Sequence, residues 1–178
     1  MENYAVMRNY PKVLISSFDI PLPSYQKERT SYFDISEEIF KNENIGTILN
    51  VANGTTKKSL HDELYSKYSI NYIFLGIDDG PDIPENFLDN VVKIYEDHVS
   101  KTKDKAFLVN CHAGINRSAL AIGAILWRTR LNYSTDLCWE TPEEMIQDMR
   151  WFQKRDRNLD ALLLNKNFEM YLINYCNS

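Results

Sequence analysis

The segment Asn110 to Ser118, NCHAGINRS, holds the residue types best able to do chemistry in this chain: a cysteine, a glycine three positions on, an arginine six positions on and a hydroxyl directly after it. Each type has a physical use at that spacing. A loop of this length that curls so that its N–H groups converge makes a nest for a tetrahedral oxyanion, and a helix opening at its end adds the positive end of its dipole. Gly114 permits the turn a positive φ. Arg117 can hold two phosphate oxygens side by side and stays charged at any accessible pH, which lysine does less well. Cys111, at the floor of such an electropositive bowl, is favoured as a thiolate, and the Ser118 hydroxyl can donate to that sulfur when it leaves. The pattern thus makes Cys111, Arg117 and Ser118 catalytic candidates, with His112, Ala113, Gly114, Ile115, Asn116 and Arg117 lining the phosphate. Chance supplies it about five times in ten thousand for a chain of this composition, so the competing reading of Cys111 as a small buried hydrophobe carries little weight.

The elements around the segment predict where it sits. Lys12 to Ser16 (KVLIS), Thr47 to Val51 (TILNV), Ile70 to Ile77 (INYIFLGI) and Ala106 to Asn110 (AFLVN) are short apolar runs rich in β-branched residues, and read as buried strands. Asp34 with Glu37 forms a capping box for a short helix to about Asn42. Phe87, Val91, Tyr95 and Val99 repeat every four residues, a single apolar stripe on a helix. Ser118 to Leu131 is apolar nearly all round in its first half, which predicts a helix in the middle of the domain. Thr141-Pro142-Glu143-Glu144 opens another with a capping box and proline at the first helical position. A last helix from about Leu159 turns Leu164, Phe168 and Leu172 inward. Alternating strands and helices predict an α/β fold: one domain over 1–178, with a mostly parallel central sheet of about four or five strands flanked by helices. In such sheets ligands bind at the carboxyl ends of the strands, where Cys111 lies.

Composition agrees with one globular domain. The 178 residues are 44% hydrophobic and 25% charged, and 20 basic against 25 acidic side chains leave −5, which disfavours binding nucleic acid or an anionic membrane through overall charge. The longest apolar run, Ala119 to Trp127, is far below the roughly 20 residues of a membrane span. The first twenty residues, with Glu2, Arg8 and Lys12, lack a signal-peptide core; Glu2 is not the glycine of a myristoylation site, and Cys176 lies one residue short of a prenylation box. The odd set Cys111, Cys138 and Cys176 has no metal spacing and fits a reducing, intracellular compartment, the cytoplasm with the nucleus left open.

CHAGINRS resembles the C-x5-R-S/T signature loop of the cysteine-dependent protein phosphatases, and AGINRS followed by Ala119 is most similar to the dual-specificity branch. NIGTILNVA (Asn44 to Ala52) is similar to a strand of that family, and NKNF (Asn165 to Phe168) resembles the N-x-x-F of its last helix. The resemblance implies a phosphatase needing no metal or cofactor. Its substrates would be proteins phosphorylated on tyrosine and on serine or threonine, reached through a cysteinyl phosphate. RNA 5′-triphosphatases and phosphoinositide phosphatases share the loop, and a pseudophosphatase that binds phosphoproteins without turnover is the reading from another class.

The chemistry also needs an acid to protonate the leaving oxygen. Asp82 is explained as a helix cap with Glu85; Asp78 and Asp79 are not. The family's acid often stands in D-x-P about thirty residues before the cysteine, and Asp79-Gly80-Pro81 matches, which favours Asp79 over Asp78. One departure stands out: the family usually has histidine before the nucleophile, and this chain has Asn110, which carries no charge and so predicts weaker catalysis at acid pH. RWFQKRDR (Arg150 to Arg157) reads either as a second anion site or as a solvated helix face with its aromatics turned inward. His61 and His98 read as surface residues and His112 as a rim or packing residue of the loop.

Overall fold

The computed structural model describes residues 4–17, 39–40, 42–53, 66–133 and 138–178. The capping box at Asp34 and Glu37, and His61, lie outside them. Five strands, β1 (Tyr4–Asn9), β2 (Lys12–Ser17), β3 (Ile45–Ala52), β4 (Asn71–Ile77) and β5 (Ala106–Cys111), form one sheet in the order β1-β2-β5-β3-β4. The four strands expected are present and pair in parallel; β1, which has no clean alternation to announce it, is added antiparallel at one edge. Its register shifts between Val6 and Arg8, the mark of a bulge.

Register sorts the side chains into layers. Leu14, Leu108 and Ile48 lie side by side on one face, where Ile39, Phe40 and Ile70 cover them. One residue on, Ile15, Val109 and Leu49 point to the other face and pack under four helices: α1 (Phe87–Thr102), α2 (Arg117–Thr129), α3 (Pro142–Arg157) and α4 (Lys166–Cys176). β3 and β5 are buried along their whole length, which is why they read as unbroken apolar runs. Beyond these layers comes a polar row, Ser16, Asn110 and Asn50, all buried; Cys111 then alternates back to the helix side.

α2 is the central helix, with eleven of its thirteen residues buried. Gly123 lets α4 approach it: a Cβ there would come 2.4 Å from Leu172 Cδ2. α3 opens as expected, with Glu144 N donating to Thr141 Oγ1 (3.3 Å) and Thr141 N to Glu144 Oε2 (3.3 Å). From its far end, Asp156 accepts from Val6 N (2.8 Å) and Arg155 donates to Val6 O (3.1 Å), so the β1 edge is closed by side chains.

Three expectations are corrected. α1 begins at Phe87 behind Asn86 in the left-handed conformation (φ 65°), and Asp82 with Glu85 forms no capping box. Such a box would need Ile83 at the first helical position, and Ile83 precedes Pro84, which disfavours helical backbone there. The last helix begins at Lys166, because Asn165 caps it by accepting from Asn167 N and Phe168 N; the stretch before it runs under the loop and leaves Leu164 exposed. His98 is buried, with Nδ1 2.7 Å from Thr47 Oγ1 and Nε2 3.1 Å from Lys105 O. It lies three residues after Tyr95, on the same inward stripe. Among the described residues no helix is long and apolar enough to cross a membrane.

Candidate active site

β5 delivers Cys111 to the carboxyl edge of the sheet, and residues 112–116 turn the chain into α2, whose first residue is Arg117. Cys111 is buried, and its Sγ lies 3.0 Å from Ser118 Oγ. Gly114 has φ +64°, and a Cβ added there would stand 2.7 Å from the carbonyl carbon of Ser16 and 2.7 Å from Arg157 Nη1. The turn therefore needs glycine for its backbone angle and for the closeness of β2. Arg117 donates from Nη1 to Ile77 O (3.1 Å), which ties it to the end of β4; its Nε is buried without a hydrogen-bond partner, a donor suited to an oxyanion.

The outward side of the loop is held by three residues from two segments, α3 and the stretch before α4. Ala113 O accepts from Arg157 Nη2 (3.2 Å), Gly114 O from Arg157 Nη1 (3.0 Å) and Gln153 Nε2 (2.8 Å), and Ile115 O from Leu163 N (2.8 Å). In a trans peptide the C=O and the following N–H point in opposite directions. Three outward carbonyls thus turn the N–H groups of Gly114, Ile115 and Asn116 inward, where the dipole of α2 adds to them. The resulting bowl, with a thiol at its floor and a guanidinium at its edge, is chemically suited to hold a tetrahedral oxyanion against sulfur.

The two aspartates left open by the sequence are separated by geometry. Asp78 accepts from Asn53 Nδ2 (3.0 Å), at the end of β3. Asp79 accepts from Asn116 Nδ2 (3.2 Å), within the loop, and from Asn165 Nδ2 (3.2 Å), the cap of α4. Asn116 Oδ1 in turn accepts from Asn165 N (3.0 Å), which closes a three-residue network at the mouth of the bowl. His112 is exposed, as a rim residue should be. Asn110 is buried with an unpartnered Oδ1 beside the unpartnered Ser16 Oγ, on the sheet face opposite the Cys111 side chain.

The loop is legible in the sequence and its supports are not. Nothing local marks Gln153 or Leu163 as partners of the loop; Asn165 alone carries a signal, as an asparagine three residues before an apolar helical position. The basic run on α3 forms no cluster of free cations. Arg150 bonds Leu162 O, Leu163 O and Glu169; Lys154 pairs with Asp160, Arg155 with Asp156, and Arg157 serves the loop. Phe152 is turned inward, while Trp151 is 60% exposed. Among the described residues no group of three His, Cys, Asp or Glu side chains is placed to hold a metal ion.

No protein-family model matches the sequence, and no curated protein matches it. Solved structures do. The active form of Tk-PTP is 15% identical, with 98% of this chain and 95% of that one covered at a TM-score of 0.62. Human DUSP28 is 14% identical over 100% and 97%, at 0.61. OH1 from the Orf virus, described as a tyrosine phosphatase with triple substrate specificity, is 16% identical over 97% and 85%, at 0.58. The chain has the fold of the dual-specificity and tyrosine phosphatases.

Proposed function

We propose that this chain hydrolyses phosphate monoesters of tyrosine, and of serine or threonine, in proteins through a cysteinyl-phosphate intermediate without a metal cofactor. The observation that carries the reading is the joint placement of Cys111 Sγ, 3.0 Å from Ser118 Oγ, inside a loop whose Asn116 holds the Asp79 carboxylate at 3.2 Å. Nucleophile, oxyanion donors and acid share one opening.

In the first step Cys111 Sγ forms a bond to phosphorus as the P–O bond to the side chain of the substrate breaks. The inward N–H groups and Arg117 hold the equatorial oxygens. Asp79 gives its proton to the departing oxygen, a contribution of typically 10²–10⁴ in rate. In the second step a water attacks phosphorus, its proton passes to Asp79, and the S–P bond breaks. The sulfur departs as a thiolate that accepts from Ser118. Asp79 takes the acid role in preference to Asp78 because it, and not Asp78, is bonded to the loop.

Hydrolysis of para-nitrophenyl phosphate in EDTA tests the reading. Activity that survives chelation, disappears in Cys111→Ser and is blocked by vanadate supports it. Folded protein that binds vanadate or a phosphopeptide and releases no phosphate overturns it in favour of a phosphate-binding module. Asp79→Asn should lose far more rate on aryl phosphates with poor leaving groups than on activated ones, and an equal loss on both moves the acid elsewhere.

A further inference from the structure

The basic run on α3 plays no part in that mechanism, yet its last member reaches the loop from its outer side. The Arg157 guanidinium spans Ala113 O, Gly114 O and Ser17 Oγ, the last at 3.2 Å, and so joins the loop to the end of β2. Gln153, one turn earlier and fully buried, shares the Gly114 carbonyl and also donates to Ala161 O (3.0 Å). Burial lowers the pKa of Arg157, and the charge of Cys111 opposes that shift. Among the described residues, the other charged or titratable groups in the loop or bonded to it are Arg117 from α2, Asp79 from the turn after β4 and His112 from the loop itself. Asn110, at the position where the resembling family usually has histidine, adds no charge.

We propose that Arg157 is a positioning residue for this site: it fixes the loop's outward carbonyls and brings a positive charge from α3 to the loop that carries Cys111. The inference rests on the phosphatase reading above. Its physical basis is twofold. A planar fork with five donors can satisfy adjacent carbonyls of a tight turn at once, which a lysine cannot reproduce. A buried cation near a thiol lowers the cost of ionising it.

The test is the pH dependence of Cys111 alkylation by iodoacetamide, read by peptide mass spectrometry so that Cys138 and Cys176 do not contribute. Wild type, Arg157→Lys, Arg157→Met and the double variant Asn110→His with Arg157→Met are compared, each checked for folding by circular dichroism. Loss of the charge in Arg157→Met should move the alkylation midpoint upward. Arg157→Lys should move it by less than half as much, while lowering turnover through the lost fork. The added histidine should bring the midpoint of the Met variant back down.

Superimposed profiles for wild type and Arg157→Met overturn the proposal, as does a shift in Arg157→Lys as large as that in Arg157→Met. Should Arg157→Met not fold, Arg157→Gln removes the charge while keeping a donor and takes its place. Wild-type protein that fails to release phosphate from para-nitrophenyl phosphate would refute the phosphatase reading instead, and the alkylation comparison would still decide the role of Arg157.

Discussion

Asn165→Asp separates two tasks that one side chain performs. Asn165 caps α4 through its Oδ1 and donates its Nδ2 to Asp79 at 3.2 Å. Aspartate caps a helix as well as asparagine does, and its charge suits the helix N-terminus, so stability should hold within about 0.5 kcal/mol. The donor, however, becomes a second carboxylate beside Asp79. Asp79 is exposed and Asn165 partly so, so the medium between them is close to water, where unit charges ~4 Å apart repel by about 1 kcal/mol, a factor of about five in the population of the bonded arrangement. The repulsion turns the Asp79 carboxylate away from Asn165 and from the mouth of the loop. Under the proposed mechanism kcat/KM for a substrate with a poor leaving group should therefore fall about five-fold, and the loss should shrink in high salt. Asn165→Ala provides the contrast: it loses the cap at a cost of about 1 kcal/mol and introduces no like charge. The assay is kcat/KM for phenyl phosphate at low and high salt, with urea unfolding in parallel. A folded Asn165→Asp variant with unchanged kcat/KM at low salt refutes both the placement of this network and the proposed role of Asp79.

Gly114→Ala should cost about 1–2 kcal/mol for its positive φ, and more for the approach to Ser16, and should depress turnover by at least ~100-fold; near-normal turnover would show that the loop tolerates another backbone path. Burial lowers the pKa of His98, so the unfolded chain binds a proton that the folded chain refuses. Stability is then full above about pH 6.5 and falls as the pH drops below it, by at most ~1.4 kcal/mol per unit from this group; urea unfolding should show that slope and its loss in His98→Gln, and an unchanged slope would assign it elsewhere. Arg8 is buried and donates to Pro11 O (3.0 Å), Thr129 Oγ1 (2.7 Å) and the Tyr95 hydroxyl. Tyr95→Phe leaves one of its N–H groups without an acceptor and should cost ~1–3 kcal/mol in urea unfolding, whereas a change below ~0.5 kcal/mol would mean that another group replaces the phenol.

Residues close in sequence carried the legible part of this protein. Cys111, Gly114, Arg117 and Ser118 lie within eight positions, and the strand before them and the helix after them announce themselves by continuous apolar runs. Parallel pairing followed from the alternation of strand and helix. The edge strand β1 was not legible, because its pairing is irregular and its edge is closed by Arg155 and Asp156, about 150 positions away. The burial of His98 was written in the spacing of its helix, but a lone polar residue on an apolar stripe announces nothing until Thr47 and the Lys105 carbonyl are placed against it.

The choice between Asp78 and Asp79 shows the division most clearly. Both stand on one turn with the same chemistry, and D-x-P spacing favours Asp79 without showing what either carboxylate touches; Asn116 and Asn165, 37 and 86 positions from Asp79, bond it, while Asp78 bonds Asn53. The same holds for Arg157, whose position in a basic run suggested an outward-facing charge until the fold brought the carbonyls of residues 113 and 114 beneath it. Local sequence determined what the loop is made of, because turn geometry, dipole and thiol chemistry act over a few residues. Tertiary structure decided what holds the loop and Asp79, because hydrogen bonds and charges act through space, where distant segments become neighbours only once the core has packed.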